Sequence, residues 1–106
     1  MLEIEWFRQM VRAGTYEISS HADDERENES ISMADLENAV LTGSILEDYT
    51  DRRDVRGDAC LVGGTCTKAR FLHLVVAKTA RGHMRILTVY IPEDTRFKDG
   101  KFRRQQ

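Results

Sequence analysis

Apolar residues recur at helical spacing along the first third of the chain and at strand spacing along the last third. Trp6, Phe7, Met10 and Val11 fall on one helical face, charges at Glu3, Glu5, Arg8 and Arg12 lie between them, and Gly14 is placed to end the run. A first helix is predicted there, with its apolar stripe against a core. Tyr16-Glu17-Ile18 reads as a brief extended link, after which Ser19 or Ser20 can cap a second, highly charged helix through Asn28. Ser32 followed three residues later by Asp35 is a capping-box spacing, and Met33, Leu36, Ala39 and Val40 form an apolar face that Gly43 closes. This is a third helix.

Beyond Gly43 the period changes to two. Residues 45–49, 59–62, 71–77 and 84–91 read as strands, the second ended by Gly63-Gly64 and the last two joined by a short turn around Arg81-Gly82. Residues 51–58 carry six charges in eight positions and read as an exposed loop. Alternation sorts the last two strands by face: Leu72, Leu74 and Val76, with Leu87, Val89 and Ile91, point toward the helices. His73, Thr88 and Tyr90 share the other face with Phe71, Val75, Met84 and Ile86. Such a mixed face is either covered, here by the basic segment after Pro92, or shaped as a binding surface. The expected fold is α+β, a single domain over residues 1–106 in which N-terminal helices pack on a four-stranded, mainly antiparallel sheet.

Composition narrows the class. A chain of 106 residues suits one core, and 41% hydrophobic with 32% charged residues fits an ordered domain with a heavily solvated exterior. No segment approaches the roughly 18 apolar residues of a membrane span, and Met1-Leu2-Glu3-Ile4-Glu5 lacks the basic start of a signal peptide. A cytoplasmic protein with no membrane partner is expected. Cys60 and Cys66 lack the paired spacing and His partners of a zinc site, so neither a metal nor a cofactor is expected. The net charge of -2 conceals an acidic first part, 6 Lys and Arg against 15 Asp and Glu through Asp58, and a basic remainder, 10 against 3. Internal charge complementarity is one reading. A basic sheet face that receives RNA through Arg70, Arg85 and Lys78 is the other.

The side chains that could carry chemistry are few. His21 and Glu25 are four apart, hence on one helical face, where a carboxylate can hold an imidazole suited to proton transfer. The plain alternative is a helix-capping histidine beside one of many surface acids. His73, mid-strand among Phe71, Leu72, Leu74 and Val75, fits a buried hydrogen-bonded imidazole as well as a site residue. Tyr90 could bond a phosphate, stack on a base or simply pack, and Thr88 is no better placed by sequence. His83 reads as a turn residue.

The order His21 to Glu25, then Ile31-Ser32 opening a helix that ends at Gly43, then Ile45-Leu46-Glu47-Asp48-Tyr49, Cys60-Leu61-Val62-Gly63, His73-Leu74-Val75-Val76 and Leu87-Thr88-Val89-Tyr90-Ile91-Pro92 resembles the family of domain of unknown function 4258. The resemblance runs from about Tyr16 to Pro92. That family is similar to the RelE-like group of compact ribonuclease folds, some members being encoded beside zinc-ribbon, helix-turn-helix antitoxins. The resemblance implies a toxin that cuts RNA and an antitoxin partner. Many members carry an Arg four residues after the helix His and a second Arg four further on, where this chain has Glu25 and Glu29. A phosphate clamp therefore does not carry over, although a branch of the family uses an acid at the first position. The implied catalytic set is His21 as base or acid and Glu25 as its orienting partner, with His73, Thr88 and Tyr90 lining a sheet-side pocket. The competing expectation is a non-enzymatic module that binds RNA or a protein. The acidic run Asp23, Asp24, Glu25, Glu27 and Glu29 favours it by repelling nucleic acid on that side.

Overall fold

A computed structural model of the protein describes residues 2–49, 58–66 and 70–92. Of the loop expected at 51–58, residues 51–57 lie outside the described residues, as does the tail beyond Pro92, whereas Asp58 opens a strand. Among the described residues three helices, α1 (Ile4–Ala13), α2 (Ser20–Asn28) and α3 (Met33–Thr42), accompany five strands: β1 (Tyr16–Ile18), β2 (Ser44–Asp48), β3 (Asp58–Thr65), β4 (Phe71–Lys78) and β5 (Met84–Tyr90). Among the described residues no helix is long and apolar enough to cross a membrane.

The helices form where periodicity and caps place them. Gly14 adopts φ 71° and gives its N–H to the carbonyls of Met10 and Val11, which stops α1 in a conformation that costs glycine little. Ser19, rather than Ser20, caps α2. Ser32 and Asp35 form the reciprocal capping box of α3: the Ser32 hydroxyl accepts from Asp35 N–H at 3.0 Å, and the Asp35 carboxylate from Ser32 N–H at 2.9 Å. Leu36, Ala39 and Val40 of α3 are fully buried against the sheet, and α1 contributes Phe7 and Val11 to the same core.

The sheet corrects the sequence reading in three places. Among the described residues it has five strands rather than four, ordered β1-β5-β4-β3-β2; its other pairings are antiparallel as expected, and it becomes mixed because Tyr16–Ile18 pairs in parallel with β5. Three residues are too few to show alternation, so tertiary pairing alone makes this link a strand. The Tyr16 hydroxyl donates to Glu37 of α3, tying β1 to the helical layer, and burial together with that carboxylate pushes the phenol far above its ordinary range.

The second correction concerns Gly63-Gly64, which lies inside β3 instead of ending it. A Cβ on Gly64 would sit 1.9 Å from the Ala39 carbonyl oxygen. The missing side chain is what lets α3 rest on the strand. The third is a bulge in β5. Val75 pairs with Thr88 but Val76 with Ile86, so Leu87 is the extra residue and the alternation changes phase there. Met84 and Ile86, expected on the far face, lie instead in the helix-facing core with Val89, whereas Leu87 is only partly buried. On the far face, paired positions bring together Gly63 with His73, Leu61 with Val75 and His73 with Tyr90. Leu61, His73 and Ala77 are fully buried there.

Two glycine substitutions separate packing from backbone conformation. Gly64→Ala forces a methyl into the α3 backbone and is expected to destabilise by about 2–3 kcal/mol. Gly14→Ala meets nothing within 4 Å and costs only its positive φ, about 1 kcal/mol. Urea unfolding of the two variants beside the parent checks both values and their order.

Candidate functional site

The candidate site is built where β1 stops. Beyond Ile18 no strand among the described residues lies beside the outer edge of β5, and the chain turns into α2, which lies along that edge. Ser19 makes the junction: its N–H donates to Ile86 O at 2.9 Å, its hydroxyl donates to Leu87 O at 3.1 Å, and the same oxygen accepts from Ala22 N–H at 3.0 Å. The helix start is thereby fastened to the bulge. Ala22 turns into the core, so His21 and Glu25, on another face of the same turn, are directed along the strand edge.

Glu25 satisfies the edge that β1 leaves open. One carboxylate oxygen, Oε1, accepts from Val89 N–H at 2.9 Å and from the Thr88 hydroxyl at 2.6 Å. Its other oxygen, Oε2, lies 3.1 Å from His21 Nε2. The carboxylate side chain is 29% exposed and the imidazole 70%. A ring that can exchange protons is therefore open to solvent while the group that orients it is fixed from the sheet. This is the geometry required of a positioned general base or acid.

The residues predicted from sequence divide into two groups. His21, Glu25 and Thr88 meet at the α2–β5 edge. His73 and Tyr90 form a cross-strand pair on the far face, with Nδ1 3.1 Å from the Tyr90 hydroxyl and ring centroids 5.2 Å apart in an edge-to-face arrangement that Phe71 extends. Thr88 and Tyr90 are two residues apart on one strand, so the groups sit about 7 Å apart along β5. His83 lies in the β4–β5 turn, as the sequence suggests.

The three cations expected to bind RNA do not converge on His21. Arg70 donates to the carbonyls of Glu29 and Ser30 and lies 3.8 Å from Asp35, at the opposite end of α2. Arg85 faces its cross-strand neighbour Glu17 at 3.6 Å, and the Lys78 ammonium stands 5.0 Å from the centre of the Trp6 ring. Arg26 is held by Asp23 at 2.7 Å and by the Ile31 carbonyl. Sequence reasoning missed two members of the site, Ser19 as the anchor on Leu87 and the Val89 N–H. A backbone donor 64 residues from its acceptor leaves no signal in the sequence.

Neither cysteine belongs to the site. Both are buried and free, and burial, with a smaller contribution from Asp48, pushes the Cys60 thiol up to about 12. A raised thiol value means less thiolate, about one part in ten thousand at pH 8 for Cys60, so the native protein should leave Ellman's reagent unreacted while the denatured chain titrates two thiols. Rapid reaction of the native protein would contradict this burial.

The site also makes an asymmetric prediction for stability. Glu25→Ala leaves the Thr88 hydroxyl and Val89 N–H without their acceptor and should cost about 1–3 kcal/mol. His21→Ala removes an exposed ring and should stay within about 0.5 kcal/mol of the parent. Denaturant midpoints measured side by side test the contrast.

No curated protein and no solved structure matches the chain. The family described as domain of unknown function (DUF4258) matches residues 18–91, a stretch that holds the α2–β5 edge and the His73–Tyr90 pair together. On that match the chain belongs to the DUF4258 family.

Proposed function

We propose that this chain is a metal-independent endoribonuclease with a RelE-like fold, the cytoplasmic toxin of a toxin–antitoxin pair. One observation supports the reading above others: a solvent-exposed imidazole whose Nε2 stands 3.1 Å from a carboxylate that the sheet holds through two further hydrogen bonds. RNA supplies its own nucleophile, the 2'-hydroxyl. His21 takes the proton of that hydroxyl, the 2'-oxygen forms a bond to phosphorus, and the bond from phosphorus to the 5'-oxygen breaks. The leaving oxygen takes a proton from water, and the products carry a 2',3'-cyclic phosphate and a 5'-hydroxyl. Glu25 keeps the ring oriented through the step. Arg85 and Arg70 serve RNA approach only where they exchange their present partners, and Tyr90 contributes from the neighbouring face, held there by buried His73.

A second reading rests on a different observation. The cations placed on the sheet are engaged within the fold and dispersed, and α2 presents Asp23, Asp24, Glu27 and Glu29 around the dyad. That distribution suits a module that binds a protein and performs no chemistry.

The two readings part on one experiment. Purified protein and its His21→Ala variant are incubated with end-labelled RNA in excess chelator, alone and with ribosomes, and the ends are mapped. Cleavage giving cyclic phosphate termini, lost by at least about a hundredfold in the variant, is expected of the ribonuclease. RNA left intact by both proteins under both conditions would establish the binding module in its place.

A further inference from the structure

The hydrogen bonds around Glu25 fix more than the position of His21: they select which ring nitrogen is available. An ionised carboxylate only accepts, so the 3.1 Å contact from His21 Nε2 to Glu25 Oε2 requires the proton on Nε2 in the neutral ring. The lone pair is then on Nδ1. With the side chain 70% exposed, Nδ1 forms no hydrogen bond within the described residues and opens to solvent.

Thr88 makes this assignment hold. Its hydroxyl and the Val89 N–H both donate to Oε1, at 2.6 and 2.9 Å, which leaves Oε2 as the oxygen aimed at the ring. With the backbone donor alone the carboxylate can pivot about a single hydrogen bond. Two donors from adjacent residues of one strand prevent the pivot. A threonine suits the position because branching at Cβ restricts χ1, so the hydroxyl is held in one direction.

We propose that Nδ1 is the proton-accepting nitrogen of His21 and that Thr88 is a positioning residue acting through Glu25, not a group that touches substrate. The proposal deepens the ribonuclease reading by naming the atom that meets the 2'-hydroxyl, and its test does not depend on RNA cleavage. The ring orientation also sets the geometry of approach. Substrate comes to the Nδ1 side of the imidazole, away from Glu25 and the β5 edge, where it need not displace the carboxylate that orients the base.

Alkylation by bromoacetamide reads the free lone pair directly, because the attacking nitrogen displaces bromide and keeps the label. The full-length protein is treated at neutral pH, the peptide containing His21 is isolated, and the Nδ1 and Nε2 adducts are separated after hydrolysis against authentic standards. The Nδ1 adduct is expected in about tenfold excess, the preference a charge-assisted hydrogen bond at Nε2 supports. Thr88→Ser, which keeps the hydroxyl, should retain that excess. Thr88→Val should lose most of it, and Glu25→Gln should lose it as well. An Nε2 adduct predominating in the parent protein overturns the assignment, with no variant needed to decide. An Nδ1 preference unchanged in folded Thr88→Val overturns the role of Thr88. RNA cleavage together with an Nε2 adduct would defeat this proposal and leave the ribonuclease standing; the reverse pair of results would defeat the ribonuclease and leave the nitrogen assigned.

Discussion

The structure turns on how the outer edge of β5 is closed. β1 pairs with that edge for three residues and stops, which exposes the Leu87 carbonyl and the Val89 N–H beside the core. Backbone groups in such a place need partners, and an uncovered edge invites pairing with another chain. Here side chains of α2 provide the partners. Ser19 donates to Leu87 O and Glu25 accepts from Val89 N–H, so a helix takes the place of the strand that would otherwise continue there. The Leu87 bulge contributes by shifting the phase of β5, placing Val89 in the core while Thr88 remains within reach of the helix.

The same carboxylate that closes the edge holds the imidazole. Closure of the sheet edge and the hold on the His21 ring therefore meet in Glu25, whose removal is expected to affect both, whereas removal of His21 is expected to leave the fold nearly unchanged. This separation makes the dyad testable in a small domain. It also accounts for an acid rather than a base at position 25. At this position an acceptor is required by the Val89 N–H and the Thr88 hydroxyl, and a guanidinium, which only donates, cannot supply it. The acidic surface of α2 is then not a uniform feature. Glu25 is bound to the sheet and Asp23 to Arg26, which leaves a smaller set of carboxylates facing solvent than the sequence suggests.

Much of this architecture is legible in the chain before any coordinates. The apolar stripe of α1, its Gly14 stop, the Ser32–Asp35 capping box and the two long strands all rest on local rules that the fold obeys. What escapes is set by contacts distant in sequence. Tyr16-Glu17-Ile18 becomes a strand only because β5 runs beside it, and Gly63-Gly64 reads as a strand end until α3 is seen to need the space. The bulge did leave a trace: apolar residues occupy positions 84 and 86 and then 89 and 91, an exchange of even for odd that a uniform two-residue period cannot produce. The His21–Glu25 spacing was readable from the helix period, but the donors that anchor Glu25 were not, because they belong to a strand more than sixty residues away.

Amide hydrogen exchange at Val89 tests the central relation most directly, since that N–H is the point at which the sheet edge and the site share one bond. In the native protein it should be protected like the neighbouring strand amides, and Glu25→Ala should remove that protection while Val76, in the middle of β4, keeps its own. A Val89 amide that exchanges freely in the parent protein, or one equally protected without the carboxylate, would contradict the closure of β5 by Glu25 and the site built upon it.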